Sequence, residues 1–333
     1  MSRITVITGA GAGVGRATAQ QFAHAGCDIG LIGRDRDRLE TAAAELRTLG
    51  VRACVAPADM ADAEAVDHAA ATIEAELGPI DIWVNNAMAT IFAPVADITP
   101  AEFKRATEAT YLGTVHGVMT ALRLMKARGQ GSIINVGSAL AYRSVPLQSP
   151  YCGAKAAIKG FTDSLRSELI HDRSAIKLSM VHLPAVNTPQ FDWALNKMGR
   201  RAQPVPPIYD PDIPAKAIVF AAFHHRREIW VGMPTVVAIL ANRIAPGFAD
   251  KYLATHGYST QMSNQPLPPD PPANLFEPVP GPRGARGRFT DQSRHGSFEM
   301  FTDRHKTTAY ALLALAGTAA IAGLHQLAKK YDF

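Results

Sequence analysis

Arg3-Ile4-Thr5-Val6-Ile7-Thr8 is a β-branched, largely apolar run, and Gly9-Ala10-Gly11-Ala12-Gly13-Val14-Gly15 follows it at once, leading into an alanine-rich stretch that ends near Ala25. A strand that turns on glycines straight into a helix leaves few folds open to the chain. Glycines let the backbone approach a ligand closely, and the helix start aims N–H groups and the positive end of its dipole at whatever lies there. That arrangement suits a diphosphate. A strand beginning by Arg3 is also expected to leave no room for a signal peptide ahead of it.

The alternation of strand and helix continues down the chain. Short apolar runs fall at 28–32, 52–56, 81–85, 132–136, 177–183 and 228–231, with helical stretches between them. Such runs read as a parallel sheet covered on both faces. The expected fold is α/β, a Rossmann-type doubly wound sheet of seven parallel strands filling residues 1–260. Thr99-Pro100-Ala101-Glu102 forms a capping box with proline at the first helical position, and opens a long helix to about Arg128. With 34 basic and 29 acidic residues, the net +5 is too even for a nucleic-acid surface, and no such partner is expected. Cys27, Cys54 and Cys152 are scattered without metal-ligand spacing. No metal site is expected, and a reduced, cytoplasmic compartment fits.

In a doubly wound sheet the residues just past the second strand meet the adenosine ribose. An acid there accepts from a free 2′-hydroxyl, whereas an arginine accommodates a 2′-phosphate. Here the strand ends in Gly33-Arg34-Asp35, which favours NADP(H) over NAD(H) unless Arg34 merely belongs to the charged first turn of the next helix. Asp59, after the third strand, is placed either to touch the adenine or to cap a helix.

The stretch 131–161 carries the chemistry. Its strand breaks at Gly137-Ser138, and a helix entered near Pro150 holds Tyr151 and Lys155. Four residues on a helix bring the phenol and the ammonium onto one face. A free phenol titrates near ~10, and a fixed positive charge beside it favours the phenolate. Ser138, at the strand's carboxyl end, is placed to hold a substrate oxygen against that phenol.

Residues 189–211 read as a lid, with apolar bulk from Phe191, Trp193, Leu195 and Met198. From 261 to 306 the chain reads as a flexible Pro/Arg-rich linker, with eight prolines between Pro266 and Pro282. Residues 307–324 carry no charge, and the helix expected over 307–333 either anchors the chain in a membrane or docks on protein, whether its own enzyme domain or a second subunit of a homo-oligomer. The linker favours the anchor.

Together Thr8-Gly9-x-x-x-Gly13-x-Gly15, Asn85-Asn86-Ala87, Ser138 and Tyr151-x-x-x-Lys155 resemble the short-chain dehydrogenase/reductase family over about residues 3–232. The resemblance implies an NADP(H)-dependent oxidoreductase acting on a carbonyl or secondary alcohol. It casts Tyr151 as general acid/base, Ser138 as orienting the carbonyl, and Lys155 as binding the nicotinamide ribose and lowering the tyrosine's pKa. It assigns the cofactor to Thr8, Gly9, Gly11, Gly13, Val14 and Gly15, to Arg34, Asp59 and Met60, to Asn86 and Ala87, and to Pro184, Val186 and Thr188. Asn85 would lie beneath the adenine ribose.

Three positions depart from the family's pattern. Met88 stands where a glycine is usual, the 184–188 turn is one residue short, and Thr110 stands where an asparagine normally steadies a water in the proton relay. A threonine can bond a water but lacks the amide. The apolar lid and tail imply a lipophilic substrate. The alternative is a catalytically silent nucleotide-binding scaffold tethered at a membrane.

Overall fold

The computed structural model describes residues 2–297 and residue 300. Seven parallel strands form the central sheet: β1 (Ile4–Thr8), β2 (Asp28–Gly33), β3 (Ala53–Pro57), β4 (Ile82–Asn85), β5 (Ser132–Ser138), β6 (Lys177–Leu183) and β7 (Glu228–Trp230). Their spatial order is β7-β6-β5-β4-β1-β2-β3. The order reverses between β1 and β4, and such a switch point opens a crevice at the strands' carboxyl ends.

The connecting helices are α1 (Gly13–His24), α2 (Arg36–Thr48), α3 (Ala63–Leu77), α4 (Pro100–Thr107), α5 (Gly113–Arg128), α6 (Ser149–His171) and α7 (Asp212–His224). Two apolar layers result. Phe22, Leu39, Leu46 and Ile218 pack α1, α2 and α7 on one face of the sheet. Val66, Ile73, Val118 and Leu165 pack α3, α5 and α6 on the other. Local signals set the helix ends. Asp35 accepts from the Arg38 N–H, Asp62 from those of Glu64 and Ala65, and the Thr99–Glu102 capping box is formed. The helix expected to run unbroken from Pro100 to Arg128 instead passes through a π-helical turn, Glu108–Leu112, between α4 and α5. Two further helices, α8 (Met233–Ile244) and α9 (Pro246–His256), follow β7.

The largest departure from the sequence-based expectation is the segment read as a loose linker. Its part within the described residues lies against the domain. Met262–Pro266 pairs antiparallel with Arg200–Ala202, and Ser293–Arg294 pairs with Ile208–Tyr209. Leu275, Ala285 and Phe289 are buried. Arg286 grips the buried Asp210 at 2.7 Å and Asp212 at 2.9 Å. The physical reason lies in the prolines. An already extended chain loses little freedom on docking, and its carbonyls are acceptors that arginines of the domain can meet. The helix expected over 307–333 lies outside the described residues.

Candidate active site

A cavity of about 440 Å³ runs across the carboxyl ends of the strands, from the glycine turn to Tyr151. Glycine is required in that turn. Gly9 stands at φ +67°, and a Cβ on Gly15 would lie 2.2 Å from the Gly9 carbonyl oxygen. The Thr8 hydroxyl accepts from the N–H groups of Asn86 and Ala87 at 2.9 and 3.0 Å, and the Asn86 amide donates back to the Thr8 carbonyl. Thr8 and Gly15 therefore brace the turn from behind, while Gly9, Gly11, Gly13 and Val14 face the cavity. Of the next loop, Asn86 and Ala87 reach the cavity. Asn85 does not. It is buried, accepts from the Trp83 indole at 2.8 Å and donates to Asn135 at 2.9 Å, so it ties β4 to β5 instead of lying under a ribose.

Arg34, Asp59 and Met60 line the end of the cavity beside β2 and β3. Asp59 is not the cap of α3, a role Asp62 takes; its carboxylate pairs with Arg105. The Arg34 guanidinium donates to the carbonyls of Asn274, Leu275 and Phe276, the last at 2.8 Å. Arg38 joins it from α2, donating to the Val279 carbonyl, and lies 4.8 Å from the Trp193 ring centroid. Neither Arg38 nor Arg105 was singled out from sequence. For Arg38 the available signal was the excess of arginine around Arg34, which reads equally as a solvated helix; Arg105 had no such signal.

At the inner end, Ser138, Tyr151 and Lys155 meet as the spacing required. Lys155 is buried, donates to the Val136 carbonyl at 2.6 Å, and lies 5.6 Å from the Tyr151 ring centroid. Burial pushes the Tyr151 phenol up to about 12, partly offset by its hydrogen bond with Ser138. Burial likewise pushes the Lys155 ammonium down to about 8. Here, against the expectation, the phenol is not held below its ordinary value: desolvation of the charged form is the largest effect, the Ser138 hydrogen bond offsets it only in part, and Tyr151 stands protonated at neutral pH.

The loop bearing Ser138 is fixed from beneath by residues the sequence reading did not reach. His182 lies beside Gly137 in register, with Nδ1 3.2 Å from the Ser138 carbonyl oxygen. A Cβ on Gly137 would lie 2.6 Å from that nitrogen. Tyr142, closing the loop, donates to Glu228 on β7 at 2.5 Å. A polar residue inside the apolar strand β6 was the available sign. Thr110, cast in the proton relay, is fully buried, and its hydroxyl serves Ala89, accepting from the N–H at 2.9 Å and donating to the carbonyl at 3.1 Å. It shapes the exit loop of β4 and lies outside the cavity lining. Pro184, Val186 and Thr188 do line the cavity, on a turn clamped by the Asn187 side chain, which accepts from the Phe289 N–H at 3.0 Å.

A cradle of glycines, arginines beside β2 and a phenol–ammonium pair at the other end fit a nicotinamide dinucleotide. Residues 3–198 match the family model of the short chain dehydrogenases. The chain belongs to that family. The chain is 29% identical to the uncharacterized oxidoreductase YxnA of Bacillus subtilis over 96% of its own length and 89% of that protein's. Among solved structures it is similar to L-sorbose reductase from Gluconobacter frateurii, complexed with NADPH and L-sorbose, at 25% identity and a TM-score of 0.62, covering 69% of this chain and 95% of that one. It shares the fold of a short chain dehydrogenase/reductase from Burkholderia phymatum in complex with NAD, at 21% identity and a TM-score of 0.67, covering 75% and 95% of the two chains. It is thus an oxidoreductase whose neighbours include both NADP and NAD complexes.

Proposed function

We propose that this oxidoreductase uses NADP(H) to interconvert a lipophilic carbonyl compound and its secondary alcohol. The observation that carries the reading is the meeting of Ser138, Tyr151 and Lys155 at one end of a cavity whose other end is the glycine turn and Arg34. Gly11, Gly13 and Val14 would hold the diphosphate, Arg34 the 2′-phosphate, and Lys155 the nicotinamide ribose. Bound there, the reduced nicotinamide supplies the hydride that reaches the carbonyl carbon. Ser138 holds the carbonyl oxygen, and the Tyr151 O–H bond breaks to place its proton on that oxygen. The product is the alcohol. Lys155, one helical turn on, faces the phenolate left behind, and the reverse reaction makes that phenolate the base. The raised Tyr151 pKa favours a proton donor, which suits the reductive direction at neutral pH. Leu140, Val145, Phe191 and Val205 on the cavity wall suit an apolar substrate.

Turnover of NADPH and of NADH with a panel of lipophilic ketones tests the assignment. Faster oxidation of NADPH with at least one ketone is the expected result. Cofactor binding without turnover across the panel would favour the silent scaffold. We also propose that residues 307–327 anchor the chain in a membrane, a reading supported by their lack of charge before Lys329 and by the cations on either side.

A further inference from the structure

Residues 274–284 cross the outer mouth of the cleft, and what holds them there is a clasp of guanidinium groups. Arg34 donates to three successive carbonyls, those of residues 274–276. Arg105 donates to the Leu275 carbonyl at 3.1 Å, and Arg38 to that of Val279. Further along, Arg16 donates to the Arg283 carbonyl at 2.7 Å, and the Gly13 N–H, in the glycine turn itself, to that of Gly284 at 3.1 Å. Asn274, Pro278 and Val279 line the same cavity as Arg34 and the glycines. The crossing segment and the proposed cofactor therefore meet the same donors.

We propose that residues 274–284 are a strap that makes the choice between NADPH and NADH, because the strap carbonyls and the 2′-phosphate compete for Arg34 and Arg38. The proposal rests on the oxidoreductase reading of the cleft. A guanidinium has a fixed set of N–H donors, and those of Arg34 are turned to the strap. Carbonyls are neutral acceptors; a phosphate forms charge-assisted, bidentate bonds roughly twice as strong. A dinucleotide carrying the 2′-phosphate therefore takes the arginines and frees the near part of the strap, whereas one without it competes only for the Gly13 N–H that holds Gly284 and leaves the Arg34 and Arg38 bonds made. The strap is built to let go. Prolines at 278, 280 and 282 carry no N–H, and residues 274–284 belong to no β-ladder of the described residues, so water can solvate the freed carbonyls without a broken sheet. Its near end is held besides by Leu275, buried against Ala89, Ile91 and Ala106, and by the Asn274 N–H on the Trp193 carbonyl. Its far end stays tethered by Arg286 on Asp210 and by the buried Phe289.

Hydrogen exchange read by mass spectrometry on the full chain tests this, with NADP+, NAD+, 2′,5′-ADP and 5′-AMP as probes at saturation. The amides of Asn274, which donates to the Trp193 carbonyl at 2.8 Å, and of the buried Leu275 should exchange about tenfold faster with NADP+ and with 2′,5′-ADP, and no faster than in the free protein with NAD+ or 5′-AMP. Equal responses to NADP+ and NAD+ would make the strap a fixed wall and overturn the proposal alone. Binding of neither dinucleotide, by calorimetry, would remove the oxidoreductase reading and the proposal with it. Leu275→Ala loosens the strap without touching an arginine. It should tighten NADP+ at least threefold and leave NAD+ unchanged; equal weakening of both would again overturn the strap's role.

Discussion

At the level of single residues, the helical spacing of Tyr151 and Lys155 brought the pair together, but burial set their chemistry. Tyr151→Phe removes the proton donor and leaves the nucleotide end whole. Turnover should fall at least a hundredfold, the low end of the range for a positioned acid, with NADPH affinity measured by fluorescence titration little changed. Lys155 makes a different prediction. Its shift from 10.5 to about 8, at about 1.4 kcal/mol per unit, amounts to ~3 kcal/mol held against the fold while the group is charged. The unfolded chain binds the extra proton between those two values, so the wild type gains stability as pH rises from about 8 to 10.5. Lys155→Met should be more stable than wild type at pH 7 by up to that amount. Urea titrations across pH should show the advantage closing above pH 8 while activity is lost throughout.

Among the elements, the turn between β1 and α1 was legible because glycine has few substitutes there. The segment after residue 260 was not, because prolines that signal a loose tether also signal a preformed, extended ligand for a ready surface. Asp210 shows how firmly it is held. Burial alone would raise its pKa, yet the hydrogen bonds from Arg286 and from the Asp212 N–H outweigh that and leave it lowered. The ion pair therefore stabilises the fold above the ordinary carboxylate range, near ~4, and the contribution is lost as pH falls through the lower folded value. Breaking a buried pair costs roughly 3–5 kcal/mol, and the 42% exposure of the Arg286 side chain reduces this to about 2 kcal/mol. Arg286→Ala should destabilise by that much at pH 7 in denaturant melts. The difference should shrink as both proteins are acidified below pH 4.

For the molecule as a whole, the described residues contain no helix long and apolar enough to cross a membrane, and the proposed anchor at 307–327 lies beyond them. If it inserts, the full chain sediments with membranes and resists a carbonate wash, and detergent releases it; recovery in the low-salt supernatant would retire the anchor. The sheet, the glycine turn and the Ser138–Tyr151–Lys155 set were legible before any contact was known. Each of these follows from local period and spacing: apolar runs of strand length, residues without Cβ at a tight turn, and four residues to one face of a helix. The rest came from packing between distant parts of the chain. It took Asn85 and Thr110 out of the cleft, put His182 under the serine loop, and laid residues 274–284 across Arg34. Those outcomes turn on which donor meets which acceptor across 21 to 242 residues of chain. The raised Tyr151 phenol and the lowered Lys155 ammonium turn on how deeply the fold buries them, and neither is encoded in any local period of the sequence.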